Sequence, residues 1–302
     1  MLTDAKGRAE GNGCAVNLDA LPPPEMAEKA EQVGVAKAGL DAATTFALAV
    51  LAGAFIAVGA AFATNTLAGS SDLPYGVARL LGGLTFSLGL ILVVVAGAEL
   101  FTGNNLIVMA WASGRVATRR LLRNWFIVYT GNFAGAVATA ALLYVGKQYE
   151  FGKGAVGETA LTIAAAKTSY GFGQAIALGM LCNALVCIAV WLCYSARTTA
   201  DKILSIVPPI AAFVAAGFEH SVANMYFLPF ALLVKSDSAF VAAHETPDLS
   251  HVTWGHFLGS NLVPVTIGNV IGGSLMVGAV YWFVYLRRSS TVERRWPSLK
   301  VR

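Results

Sequence analysis

The chain has 302 residues, 56% of them hydrophobic and 13% charged, with a mean hydropathy of +0.64. A soluble chain carries about 25% charged residues, so composition excludes an ordinary soluble domain and points to the membrane. The net charge of +4 is small and its bases are not interleaved with aromatics, which excludes a nucleic-acid groove, and the four cysteines form neither a CxxC pair nor a disulfide framework.

Residues 1–21 are Gly-rich and polar with no apolar signal-peptide core, and read as a disordered cytoplasmic tail. Residues 22–38 predict an amphipathic helix on the membrane surface, with Met26, Ala30, Val33 and Lys37 on one face. Residues 39–288 read as a transmembrane domain and 289–302 as a second cytoplasmic tail. Its first span, about Phe46 to Ala63, is rich in Ala and Gly and admits close helix neighbours. Asn65 to Tyr75 is a short loop. Nineteen uncharged residues then separate Arg79 from Glu99, enough to cross about 30 Å of hydrocarbon. Glu99, Thr102, Gly103 and Asn104 break this second span, and Asn105 to Ala112 resumes as a half-helix. Irregular backbone at such depth survives only inside protein or beside a water-filled cavity.

A third span covers Trp125 to Gly146. The loop after it contains a formal GxGxxG, Gly152 to Gly157, but no strand precedes it and no nucleotide site follows. Lys167, just before the fourth span, is either a solvated loop lysine or a cation that gathers anions at a pore mouth. The fourth span, Gly171 to Ala196, buries Asn183, whose amide needs a facing helix or a pore as partner. The fifth is broken: Ile203 to Phe218 and Val222 to Val234 flank Glu219 and His220. A polar connection, Ser236 to Gly255, leads to the sixth span, Phe257 to Leu286. His244, His251 and His256 lie in or beside that connection; without a carboxylate shell they read as solvated, with no metal site and no cofactor.

Two patterns recur in order. Gly97-x-Glu99-x4-Asn104 repeats as Gly217-x-Glu219-x4-Asn224, and Asn124-x6-Gly131-Asn132-x2-Gly135 repeats as Asn261-x6-Gly268-Asn269-x2-Gly272. Each unit holds three apolar segments, and an odd number inverts the second copy. The expected fold is therefore an all-α integral membrane protein of six transmembrane helices, two inverted three-helix repeats with the second and fifth helices broken. Lys and Arg concentrate in the 2–3 linker, the 4–5 linker and the tail from Arg287, which places both termini in the cytoplasm.

An ionisable group at the bilayer centre costs roughly 2.5–3.5 kcal/mol, so Glu219 and His220 mark either a pore or a buried histidine satisfied by a carbonyl. A hydrolase built on Glu219, His220 and Ser221 is disfavoured, because adjacent residues on one backbone do not converge on one atom and neither GxSxG nor HExxH occurs; the chain does not read as an enzyme. A neutral-solute channel would share the architecture but lacks the Asn-Pro-Ala pairs.

The strings Ala98-Glu-Leu-Phe-Thr, Leu181-Cys-Asn-Ala-Leu-Val-Cys, Gly217-Phe-Glu-His-Ser-Val-Ala-Asn-Met and Val265-Thr-Ile-Gly-Asn-Val-Ile-Gly-Gly resemble the formate/nitrite transporter family. The run Phe86-Ser-Leu-Gly-Leu-Ile-Leu is most similar to its bacterial formate channels. The resemblance implies an aquaporin-like protomer, a homopentamer with one path per protomer in the bacterial inner membrane, and a small monovalent anion, formate first, as substrate. It makes His220 the central pore histidine, Thr102 its hydrogen-bonding neighbour, Asn183 and Glu219 the residues that position it, and Lys167 the vestibule lysine. Asn224, in the same polar stretch, is counted with the pore residues. Leu90 and Leu100 with Phe86 and Phe213 become the apolar constrictions. Gly103-Asn104-Asn105 stands where formate channels often carry small hydroxyl residues, which keeps nitrite and hydrosulfide open as substrates.

Overall fold

The computed structural model describes residues 20–287. The two expected tails lie outside the described residues, apart from positions 20 and 21 of the first. Helix α1 (Pro23–Gly39) starts on three prolines, whose fixed φ suits a first turn that needs no N–H. It buries Met26, Ala27, Ala30 and Gly34, and Glu31 bonds Arg115 at 2.6 Å. Asp41 caps α2 (Ala42–Leu67) by accepting the Thr44 N–H at 3.0 Å. Helix α3 (Tyr75–Ala96) stops at Gly97, whose φ of 80° is left-handed. The chain then runs through residues 98–102 into a 3-10 turn, Gly103–Ile107, and the short α4 (Val108–Ala112).

Helix α5 (Thr118–Val145) is followed by α6 (Ala155–Thr168), α7 (Phe172–Ser195) and α8 (Thr199–Ala215). A reciprocal Thr198–Asp201 cap opens α8. It ends as α3 does, at a left-handed glycine, Gly217 with φ 76°. Arg79 closes that end by donating to the carbonyls of Val214 and Ala215 at 2.5 and 3.3 Å. Helix α9 (Ser221–Ser236) restarts after three residues, a short α10 (Ser238–Ala243) follows, and α11 spans His256–Leu286 with π-helical turns in it.

Helices α2, α3, α5, α7 and α11 are each long and apolar enough to cross a membrane, which makes this a multi-pass membrane protein. The fifth hydrophobic segment is divided between α8, of 17 residues, and α9, of 16. Small residues set the helix spacing at corresponding places. A Cβ on Gly135 would stand 2.0 Å from the Val50 carbonyl oxygen, and one on Gly272 would stand 2.1 Å from that of Met180. The α2–α5 and α7–α11 pairs therefore pack backbone on backbone.

The segment before the fourth span differs from the loop expected there. Residues 155–168 are helical, with Ala160, Leu161 and Ala164 buried, so Lys167 sits in the last turn of α6. The GxGxxG has a packing role instead. Gly154 adopts φ 90° just before α6, and a Cβ there would meet the His244 ring; one on Gly157 would meet Phe240. At the start of α10, Asp237 accepts the Phe240 N–H at 3.1 Å and the Tyr149 hydroxyl at 2.8 Å. These bonds hold its carboxyl below the usual carboxylate range. Its contribution to stability is present above the ordinary Asp range and is lost as pH falls through the lowered value.

Candidate functional site

The break between α8 and α9 leaves His220 as the N-cap of α9, buried at 2% exposure. Its Nδ1 accepts the Ala223 backbone N–H at 3.0 Å, so the neutral ring carries its proton on Nε2. That nitrogen lies 3.0 Å from Thr102 Oγ1, on the other broken helix. The imidazole is therefore a fixed Nε2–H donor, and a second proton would have to displace the cap. Its partners are an amide and a hydroxyl, not the carbonyl of a merely satisfied core histidine. The Phe213 ring stacks beside it at 5.9 Å and meets Phe86 edge-on at 5.5 Å.

Two carboxylate clusters of matching design support the two breaks. Glu219 binds Lys167 Nζ at 2.7 Å and accepts from the amides of Asn224 at 2.7 Å and Asn261 at 3.3 Å. Glu99 binds Lys37 Nζ at 2.6 Å and accepts from Asn104 at 2.6 Å. The Asn104 amide also reaches Asn124, as that of Asn224 reaches Asn261. Each break is tied to the helices packed beside it by one further asparagine. Asn132 donates to the carbonyls of Ala49 and Glu99 and accepts from Phe101 N–H. Asn269 donates to those of Gly179 and Glu219 and accepts from Ser221 N–H. Non-helical backbone in the bundle interior thus has its polar groups met by side chains.

The copies differ where chemistry is expected. His220 follows Glu219 as Leu100 follows Glu99, so one break presents an imidazole and the other an aliphatic wall. Lys37 also donates to Asn104 Oδ1 at 3.0 Å, whereas Asn224 Oδ1 is buried without a partner among the described residues.

Neither Asn183 nor Glu219 bonds the imidazole. Asn183 donates to Asn105 Oδ1 at 2.9 Å and to the Asn269 carbonyl at 2.6 Å, and Cys187, one turn on, donates to the Thr102 carbonyl at 3.4 Å. Asn183 therefore seats the Thr102 turn against the second break, because its helix faces the 3-10 turn and not the ring. Lys167 is not a solvated loop lysine: its side chain is 14% exposed and paired with Glu219.

Two cavities approach this centre. One of about 210 Å³ is lined by Arg79, Phe86, Lys167, Phe213, Glu219 and His220. The other, of about 340 Å³, is lined by Lys29, Lys37, Leu90, Glu99, Leu100 and Lys202. Phe86 and Leu90 are one turn apart on α3, so the cavities face each other across that turn. Lys37, placed by the sequence only on a face of the amphipathic helix, also belongs with the site. The repeat itself carried the signal: if Glu99 matches Glu219, the last base before the first span should match Lys167.

The family profile described as Formate/nitrite transporter matches residues 24–283. The chain is 44% identical over 276 residues to the formate channel FocA of Escherichia coli, covering 90% of this chain and 97% of that one. It is 38% identical to the formate channel FocA of Haemophilus influenzae, over 86% and 93% of the two chains. Among solved structures it is similar to a pentameric formate channel with formate bound, with a TM-score of 0.76, 42% identity and coverage of 82% of this chain and 98% of that one. It also resembles an FNT family ion channel, with a TM-score of 0.73, 27% identity and coverage of 86% and 98%. With channels and transporters as its relatives and a capped histidine lining one of two lysine-bearing cavities, the chain belongs to the formate/nitrite transporter family.

Proposed function

We propose that the protein passes small monovalent anions, formate first, across the bacterial inner membrane as a homopentamer with one path in each protomer. The observation that carries this is His220 Nε2–H presented beside Phe213 and Phe86, with Leu90 one α3 turn beyond Phe86. A small carboxylic acid has a pKa of about 4 and is an anion at neutral pH. Lys37 and Lys167 draw it into the two cavities, and the paired Glu99 and Glu219 keep it from being trapped there. The apolar rings oppose a bare anion by dewetting, and His220 offers a hydrogen bond or a proton at the narrowest point. Nitrite and hydrosulfide are small enough for the same path.

The paired clusters and matched glycine stops support six crossings arranged as two inverted three-helix units, with the α8–α9 pair as the fifth crossing. Exposed Phe126, Leu142 and Val145, at 71%, 72% and 78%, are covered by lipid or a neighbouring protomer. Stopped-flow light scattering on proteoliposomes tests the function: formate gradients should give rapid volume recovery, with glycerol no faster than empty vesicles. Fast glycerol entry with no formate entry would instead establish a neutral-solute channel. With both termini cytoplasmic, a cysteine in the 236–255 connection should react with an impermeant thiol reagent from outside the cell, and one in the tail after residue 288 should not. The reverse labelling would overturn the inverted arrangement.

A further inference from the structure

The connection from α10 to α11 carries a side-chain cluster that the anion path does not use. His251 Nδ1 stands 3.2 Å from His256 Nε2, with the rings inclined at 63°. His256 Nδ1 lies 2.9 Å from Thr253 Oγ1, which also accepts the His256 backbone N–H at 3.2 Å. With Nδ1–H donating to Thr253, His256 turns the lone pair of Nε2 toward His251. A hydrogen bond from the far ring nitrogen is what orients histidines that bind metal. Two imidazole nitrogens on one tetrahedral zinc, each about 2.0–2.1 Å from it, stand ~3.3 Å apart. The two rings hold nearly that separation.

We propose that His251 and His256 form a bidentate site for one divalent transition-metal ion of the zinc, nickel or copper class, oriented by Thr253 and completed by water. Both ends of the segment are anchored, which lowers the ordering cost of binding. Lys235 Nζ donates to the carbonyls of Leu249 and Val252 at 2.7 and 2.9 Å, and Val252 and Phe257 are buried. Without metal, His251 Nδ1–H donates to His256 Nε2; to bind the ion His251 shifts that proton to its own Nε2 by exchange with water, and both rings ligate as neutral imidazoles. An ion held there ties the connection to the first turn of α11, the helix that carries Asn261 to Lys167 and Glu219.

Trp254, half exposed between the two histidines, is a built-in reporter. The test uses full-length, tag-free protein in detergent, titrated with Ni²⁺ and Zn²⁺ by calorimetry and with Cu²⁺ by tryptophan fluorescence. One ion should bind per chain, with quenching that Trp254→Phe removes. His251→Asn should abolish binding, Thr253→Ala should weaken it by about tenfold or more, and His244→Asn should leave it unchanged. Absence of binding in the wild type, or wild-type affinity in His251→Asn, would overturn the site; so would equal binding of Mg²⁺, which prefers oxygen ligands.

Discussion

His220→Asn is expected to leave the protein folded and able to pass anion outward, yet to abolish uptake driven by an inward proton gradient. Asparagine is among the best N-cap residues, so the start of α9 keeps a side-chain acceptor for Ala223 N–H. What is lost is the titratable ring beside Thr102. In the proposed cycle a weak-acid anion accepts the Nε2–H hydrogen bond, acquires a proton by way of the ring or its water, and crosses the apolar turn as neutral acid. At higher pH the unprotonated ring, held by Thr102, favours passive efflux. A second proton on the imidazole displaces the Ala223 cap, worth about 0.5–2 kcal/mol, so protonation is coupled to the first turn of α9. Formate uptake into proteoliposomes across imposed pH gradients is the measurement. Wild-type gradient-driven uptake in this variant would make His220 structural.

Lys167→Met is expected to destabilise the protein by about 3–5 kcal/mol, the loss seen when one partner of a buried ion pair is removed. Glu219 keeps only neutral amide donors from Asn224 and Asn261, in a place where its side chain is 1% exposed. Adding Glu219→Gln removes the stranded charge, so Lys167→Met/Glu219→Gln should recover most of the loss, and the double-mutant cycle isolates the pair. Thermal unfolding in detergent reads the stability. Uptake reads the other role of the lysine. If Lys167 also raises local anion concentration, the double variant takes up formate more slowly at low substrate and low salt, an effect screened over a Debye length of about 8–10 Å. A Lys167→Met protein as stable as the wild type would show that the pair is solvated.

Features local in the chain were legible before any packing was known. Uncharged runs set the long helices, because lipid demands them. Gly97 and Gly217 ended α3 and α8, because glycine adopts a left-handed φ without strain. The two ordered asparagine and glycine patterns announced the paired breaks, and all-helical architecture followed from uncharged runs of helix-spanning length, far longer than the roughly 10-residue alternating strands of a barrel. Tertiary packing alone decided which groups meet. Lys37 and Glu99 are 62 residues apart, and Thr102 and His220 are 118 apart. Asn183 meets Asn105 and the Asn269 carbonyl, 78 and 86 residues away, and makes no direct bond to the imidazole. The helicity of α6 was hidden for a related reason. Its short sequence has no long apolar run, and its buried face exists only where Tyr149, Phe240 and α9 close around it, so the helix that delivers Lys167 to Glu219 depends on neighbours remote in sequence.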